Sequence, residues 1–225
     1  MATFTHRLSL FLAVLAYSIV YAVLSVLILP IQSATAEGAA PILQIDTGGH
    51  RGGINAVIFS KNGRTLYSAG QDKIIRLWDW KAGKTIRTIR GQIGPGFEGS
   101  IHALALSPDE SVIAVGGRMH ASCTGHCGDV RLFETETGKL ARTLTGGNQG
   151  TVSSLAFSQD GKVLASGGFD GKITIWDQQN GTLKHTLAGH TGNVRGLSFV
   201  GNTRRLVSVS NDKTWRIWDV DKGEL

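Results

Sequence analysis

Four times in this chain an apolar run closes on an aromatic–acidic dipeptide: Trp78-Asp79, Phe133-Glu134, Trp176-Asp177 and Trp218-Asp219. The intervals are 55, 43 and 42 residues. A unit of that length is too small to bury its own apolar face and must pack against copies of itself, so the period predicts a stacked or radial array. Thirty glycines against four prolines, with aromatics at regular intervals, fit many short strands joined by tight turns.

The third unit shows the pattern in full. Residues 152–157, 163–167 and 172–177 are apolar runs of strand length, separated by Gln159-Asp160-Gly161 and Phe169-Asp170-Gly171. The first unit repeats it with 54–59, 65–69 and 74–79, separated by Lys61-Asn62-Gly63 and Gln71-Asp72-Lys73. Asn-Gly and Asp-Gly accept positive φ at low cost, which suits two strands that reverse direction. A fourth run follows three of the dipeptides, at 85–89, 140–144 and 183–187. Each unit therefore reads as a four-stranded antiparallel meander.

Gly-His at 49–50 and 189–190, the three Trp-Asp pairs and the phrase from Val163 to Asp177 resemble the WD-repeat family of β-propellers. The resemblance covers residues 42–225. It implies an all-β fold: a partial β-propeller of four four-stranded antiparallel blades, preceded by an N-terminal apolar helix. The repeats fall at about 49–90, 91–145, 146–188 and 189–225, after a linker and leading strand at 37–48. The family also implies a hydrogen-bonded chain of His, Ser or Thr, Asp and Trp inside each blade. Here that maps to His50, Ser68, Asp72 and Trp78 in the first repeat and to His190, Ser208, Asp212 and Trp218 in the fourth. A buried indole N–H needs an acceptor and a buried carboxylate needs donors, so these residues read as structural. A Ser, His and Asp become catalytic only through convergent, accessible geometry.

Two repeats depart from the pattern. The third keeps Ser166, Asp170 and Trp176 but has Gly147 at the place expected for His. The second has Val115 for Ser, Phe133 for Trp and no Asp in the turn, so apolar packing is expected to hold it. Its extra length enlarges residues 91–100 and 118–129. The second of these segments carries His120, Cys123, His126 and Cys127, with the only two cysteines of the chain. Three readings stand for that loop: a Cys123–Cys127 disulfide, a metal bound by the two thiolates and two imidazoles, or two idle thiols. No cofactor is implied elsewhere.

Residues 1–7 hold His6 and Arg7 and no acid; 8–29 are uncharged and mostly apolar; Ser33-Ala34-Thr35-Ala36 then offers a small-x-small exit. Residues 1–36 thus read as a secretory signal peptide or, uncleaved, as a signal anchor crossing the membrane through 8–29. Either reading places the repeats outside the cytoplasm, periplasmic or secreted, because no Lys or Arg follows Arg7 until Arg51. Residues 37–225 carry 22 Lys and Arg against 17 Asp and Glu, without a basic run, so nucleic acid is not an expected partner.

The resemblance implies a non-catalytic scaffold that binds a protein or peptide through loop tips. Residues just before the blade Asp contribute in the family; here these are Gln71, Phe169 and Asn211. Phe97, Trp80 and Trp215 are further aromatic contact candidates, although Trp215 stands where a β-branched core residue is usual. No hydrolase elbow, phosphate loop, His-Glu-x-x-His or paired-carboxylate motif occurs. An alternative is the targeting or regulatory arm of a larger exported caspase-like peptidase, which the phrases at 91–99 and 127–129 resemble. A metal-binding periplasmic protein is a third reading, resting on the Cys/His loop alone. The run 42–47 lacks partners of its own and Gly223-Glu224-Leu225 only begins a fourth strand. A truncated longer chain, or self-association through open blade edges, is the expectation.

Overall fold

Short alternating runs broken by glycine turns give fifteen strands and no helix among the residues that the computed structural model describes, 49–91, 98–119 and 128–225. The strands are β1 (Ile54–Phe59), β2 (Thr65–Gly70), β3 (Ile74–Asp79) and β4 (Lys84–Arg90); β5 (Ser100–Leu106), β6 (Val112–Arg118), β7 (Gly128–Glu134) and β8 (Leu140–Asn148). They continue with β9 (Val152–Phe157), β10 (Val163–Gly168), β11 (Ile173–Asp177) and β12 (Leu183–Leu187), then β13 (Val194–Phe199), β14 (Arg205–Ser210) and β15 (Trp215–Asp219). Each group forms one antiparallel sheet in chain order. The first three sheets have four strands and the last has three, because Glu224 reaches Asp219 only as an isolated bridge. The N-terminal apolar helix, the leading strand, Phe97 and the Cys/His loop lie outside the described residues.

The first strand of each sheet packs against the first strand of the next, in the succession β1, β5, β9, β13. Three apolar cores follow, one per junction. Tyr67, Ile75 and Leu77 of the first sheet meet Ile101, Ile113 and Phe133 of the second. Val130, Leu132 and Leu144 meet Val152, Leu164 and Trp176; Ala165, Ile173 and Ile175 meet Val194, Leu206 and Trp218. Every junction thus joins the trailing face of one blade to the leading face of its successor.

Among the described residues, no blade covers the two faces at the ends of this succession. Ile54 on β1 is 48% exposed, whereas its equivalents Ile101, Val152 and Val194 are buried. On the last blade Trp215 is 67% exposed, whereas its equivalent Ile75 is buried. The core position expected for Trp215 is therefore corrected: it lies on a trailing face that no described blade covers. Val57, Phe59, Val209 and Ile217 are exposed for the same reason.

Candidate functional site

In the first and fourth blades the side-chain chain expected from spacing is complete. Trp218 Nε1–H donates to Ser208 Oγ at 2.8 Å, Ser208 pairs with His190 Nε2 at 2.7 Å, and His190 Nδ1 meets Asp212 at 2.7 Å. The first blade repeats this with Trp78 to Ser68 at 2.7 Å, Ser68 to His50 at 2.7 Å and His50 to Asp72 at 2.8 Å. An ionised Asp fixes the proton on Nδ1, so Nε2 accepts from the serine hydroxyl, and each donor has one acceptor. The aspartates also accept the backbone N–H of Arg51 and Thr191, which closes the loop before each first strand. Burial alone would raise Asp212. Hydrogen bonds from the Thr214 and His190 side chains and from the Thr214 and Thr191 N–H outweigh it and hold the carboxyl below its ordinary range.

Ser208 and Ser68 are buried and spend a lone pair on an indole, so these triads hold blades together and offer no attacking oxygen to solvent. The third blade corrects the sequence alignment. Asn148, not Gly147, takes the place of His: Trp176 donates to Ser166 at 2.9 Å and Ser166 donates to Asn148 Oδ1 at 2.7 Å. Gly147 corresponds instead to Gly189, against the indole; a Cβ there would stand 2.3 Å from Trp176 Cζ2. Asp170, with no imidazole to hold, accepts the N–H of Gln149 at 2.8 Å and of Lys172 at 3.1 Å.

The second blade is not held by apolar packing alone. Val115 and Phe133 are buried as expected, but Arg131 and Asp129 are buried beside them. Burial lowers the Arg131 guanidinium, and Asp129 and Glu98 counter that shift. A buried charge pair thus stands in the blade that lost the hydroxyl–imidazole chain.

The candidate partner-binding face is the end of the arc that carries these networks. Gln71, Phe169 and Asn211 lie there in the β2–β3, β10–β11 and β14–β15 turns, each exposed, with Phe169 at 40%. Sequence reading missed a second set. All four innermost strands are bulged near their start, where the register skips Asn55, His102, Ser153 and Arg195. A bulge removes a residue from the ladder and re-aims its side chain. Asn55 Nδ2 donates to Ile101 O at 2.8 Å and Ser153 Oγ to Val194 O at 2.6 Å, each reaching the next innermost strand. His102 lies edge-on to Phe169, centroids 6.3 Å apart. Burial, then Arg195, lowers His102, so three successive blades converge there. The only sequence signal was a polar residue near the start of each mostly apolar strand.

Trp80 is exposed at the other end of the first blade, edge-on to Phe59 and with Lys81 over its ring. A hollow of about 300 Å³ also lies toward that end, walled by Ile58, Leu104, Leu155, Phe157, Leu197 and Phe199. These side chains continue the cores between blades, so the hollow is the inner wall of the arc. Among the described residues no cluster of His, Cys, Asp and Glu could hold a metal ion, and no helix is long and apolar enough to cross a membrane.

Successive antiparallel sheets joined through innermost strands, each blade fastened by a buried polar chain, define a β-propeller protein of the WD-repeat class. The model of the WD domain, G-beta repeat, matches residues 42–79, 138–177 and 181–219, more than half of the chain, and the chain belongs to that family. The matched segments leave out β5–β7, in the blade with Phe133 for Trp. Among similar proteins, Autophagy-related protein 16 of Arabidopsis thaliana is 29% identical over 209 residues, covering 78% of this chain and 40% of that protein. Nuclear distribution protein PAC1 of Arthroderma benhamiae is 32% identical, covering 76% and 36%. WD repeat-containing protein SL1-17 of Schistosoma mansoni is 30% identical, covering 79% and 54%. The chain therefore spans between about a third and a little over half of these relatives.

Proposed function

We propose that this chain is a non-catalytic protein-interaction scaffold whose bulged end is the contact face. The observation that carries the reading is the four-fold bulge, which sets Asn55, His102, Ser153 and Arg195 at the same end as Gln71, Phe169 and Asn211. Polar tips on a rigid frame, with one exposed aromatic among them, suit recognition of a peptide or a protein surface. The test is peptide-display selection against the full chain, with affinity then measured on the variant carrying Gln71→Ala, Phe169→Ala and Asn211→Ala together. A loss of at least about tenfold, or 1.4 kcal/mol, is expected. Undiminished binding by the triple variant would reject this face.

Residues 1–36 support an extracytoplasmic position for the scaffold, free after cleavage or anchored through 8–29. A phosphatase that is active only outside the cytoplasm, fused after residue 48, tests this by being active in cells. In that compartment a Cys123–Cys127 disulfide is expected, and thiol titration should find two thiols only after reduction. The peptidase-arm reading rests on the phrases at 91–99 and 127–129; a His and Cys catalytic domain in the same polypeptide would support it. The metal-binding reading of the Cys/His loop would require stoichiometric zinc or copper in the reduced protein.

The open leading and trailing faces favour a second, compatible activity, self-association. They are the two halves of a junction already made three times within the chain. Sedimentation should show concentration-dependent association that Trp215→Glu abolishes; a monomer at all concentrations rejects it.

A further inference from the structure

Charge is distributed unequally between the two ends of the blades. At the end opposite the bulges, Lys and Arg are interleaved with Asp and Glu, and the ion pairs Lys184–Asp177 and Arg204–Asp160 form there. At the bulged end the described carboxylates are all engaged. Asp72 and Asp212 hold imidazoles, Asp170 holds backbone N–H groups, and Glu98 and Asp129 act on Arg131. The cations are not so matched: Arg51, Lys172, Arg195 and Lys213 have no ion pair among the described residues.

Backbone geometry adds an independent observation. The turns that follow Gln71, Phe169 and Asn211 all need a left-handed residue two positions on. Gly171 meets that need with φ of 75°, but Lys73 and Lys213 adopt 66° and 67°. A lysine held where glycine fits without strain points to a use for its side chain.

We propose that the bulged end receives an acidic peptide segment, its carboxylates taken by Arg51, Lys172, Arg195 and Lys213 and one apolar side chain set against Phe169. This deepens the scaffold reading and rests on it, since it names the chemistry of the partner for the same face. One of these cations belongs to the first blade, one to the third and two to the fourth, with the exposed Phe169 ring on the third. A nucleic-acid backbone would require a denser row of cations along one track.

Calorimetric titration of the full chain tests the proposal with four probes: a short Glu/Gly peptide with a central Leu, its Gln-for-Glu and Lys-for-Glu counterparts, and an oligothymidylate. The Glu peptide should bind at least about tenfold more tightly than the Gln peptide, and Arg195→Glu should remove that difference. Added salt should weaken the Glu peptide selectively. Lys81→Glu makes the same charge change at the opposite end and should leave binding unaltered, whereas an equal effect from Lys81→Glu reduces the preference to net charge and overturns the proposal. Equal binding of Glu and Gln peptides, both lost with Phe169→Ala, overturns the acidic preference but keeps the scaffold face. Tighter binding of the oligothymidylate than of the Glu peptide overturns it in favour of nucleic acid. If no peptide binds, both readings fall.

Discussion

Ser208 links an indole donor to an imidazole acceptor, so removing its hydroxyl strands two buried groups at once. Ser208→Ala should cost about 1–3 kcal/mol, within the range for leaving buried polar atoms unpaired. Combined with Trp218→Phe, the loss should be less than additive by about 0.5–3 kcal/mol, measured as a double-mutant cycle in urea. Full additivity would contradict a shared network. Asp212 supplies a pH dependence of known sign. Its folded carboxyl lies below the unfolded value near 3.9, so its contribution is complete above that pH and is lost as pH falls toward the folded value. Asp109 and Asp160 shift the same way, first through Ser107 and Ser158 hydroxyls. The melting midpoint should thus drop below about pH 4, and Asp212→Asn should shallow that fall. The fixed separation of His, Ser, Asp and Trp made two of these networks legible in the sequence. Asn148 was not, because the preceding glycine pair blurred which residue stood 18 before the serine. The burial of Arg131 with Asp129 depends on what folds over them, and nothing local in the sequence announces it.

The turns and approach loops show at the element scale which departures from regular geometry are required. Gly147→Ala drives a methyl group into Trp176, whose blade is packed on both faces. A cost of about 1–3 kcal/mol is expected, read as a lowered denaturation midpoint, and a neutral outcome would mean the loop can move aside. Lys213→Gly should act in the opposite sense. Relief of a left-handed lysine, offset by greater freedom in the unfolded chain, should stabilise by about 0.5–1 kcal/mol. Strand positions were readable from alternation and Asn-Gly or Asp-Gly turns. The bulges were not, because they arise when two twisted strands are brought into register, which single-strand patterns do not encode.

Across the whole molecule, stability should follow the number of neighbours a blade has. The second and third blades are packed on both faces; the first and fourth present Val57 and Phe59, or Val209 and Trp215, to solvent. Repeat arrays add stability junction by junction, so backbone amides of β6 and β10 should exchange hydrogen more slowly than those of β2 and β14. Uniform protection would indicate one cooperative unit. The repeat period made the radial architecture legible. It did not reveal the charge asymmetry, because alternate turns fall on opposite ends and mix in the linear sequence.

The loss of tryptophan from the second blade has a practical outcome. The five tryptophans sit as Trp78 and Trp80 in the first blade, Trp176 in the third, and Trp215 and Trp218 in the fourth. With Phe133 in the second blade, intrinsic emission there is dark. Trp176, fully buried between the second and third blades, then reports optically on that central junction. Replacing Trp80 and Trp215 by phenylalanine would leave the three network indoles in place, and the bluest part of the emission would then come from the fully buried Trp176 at that junction.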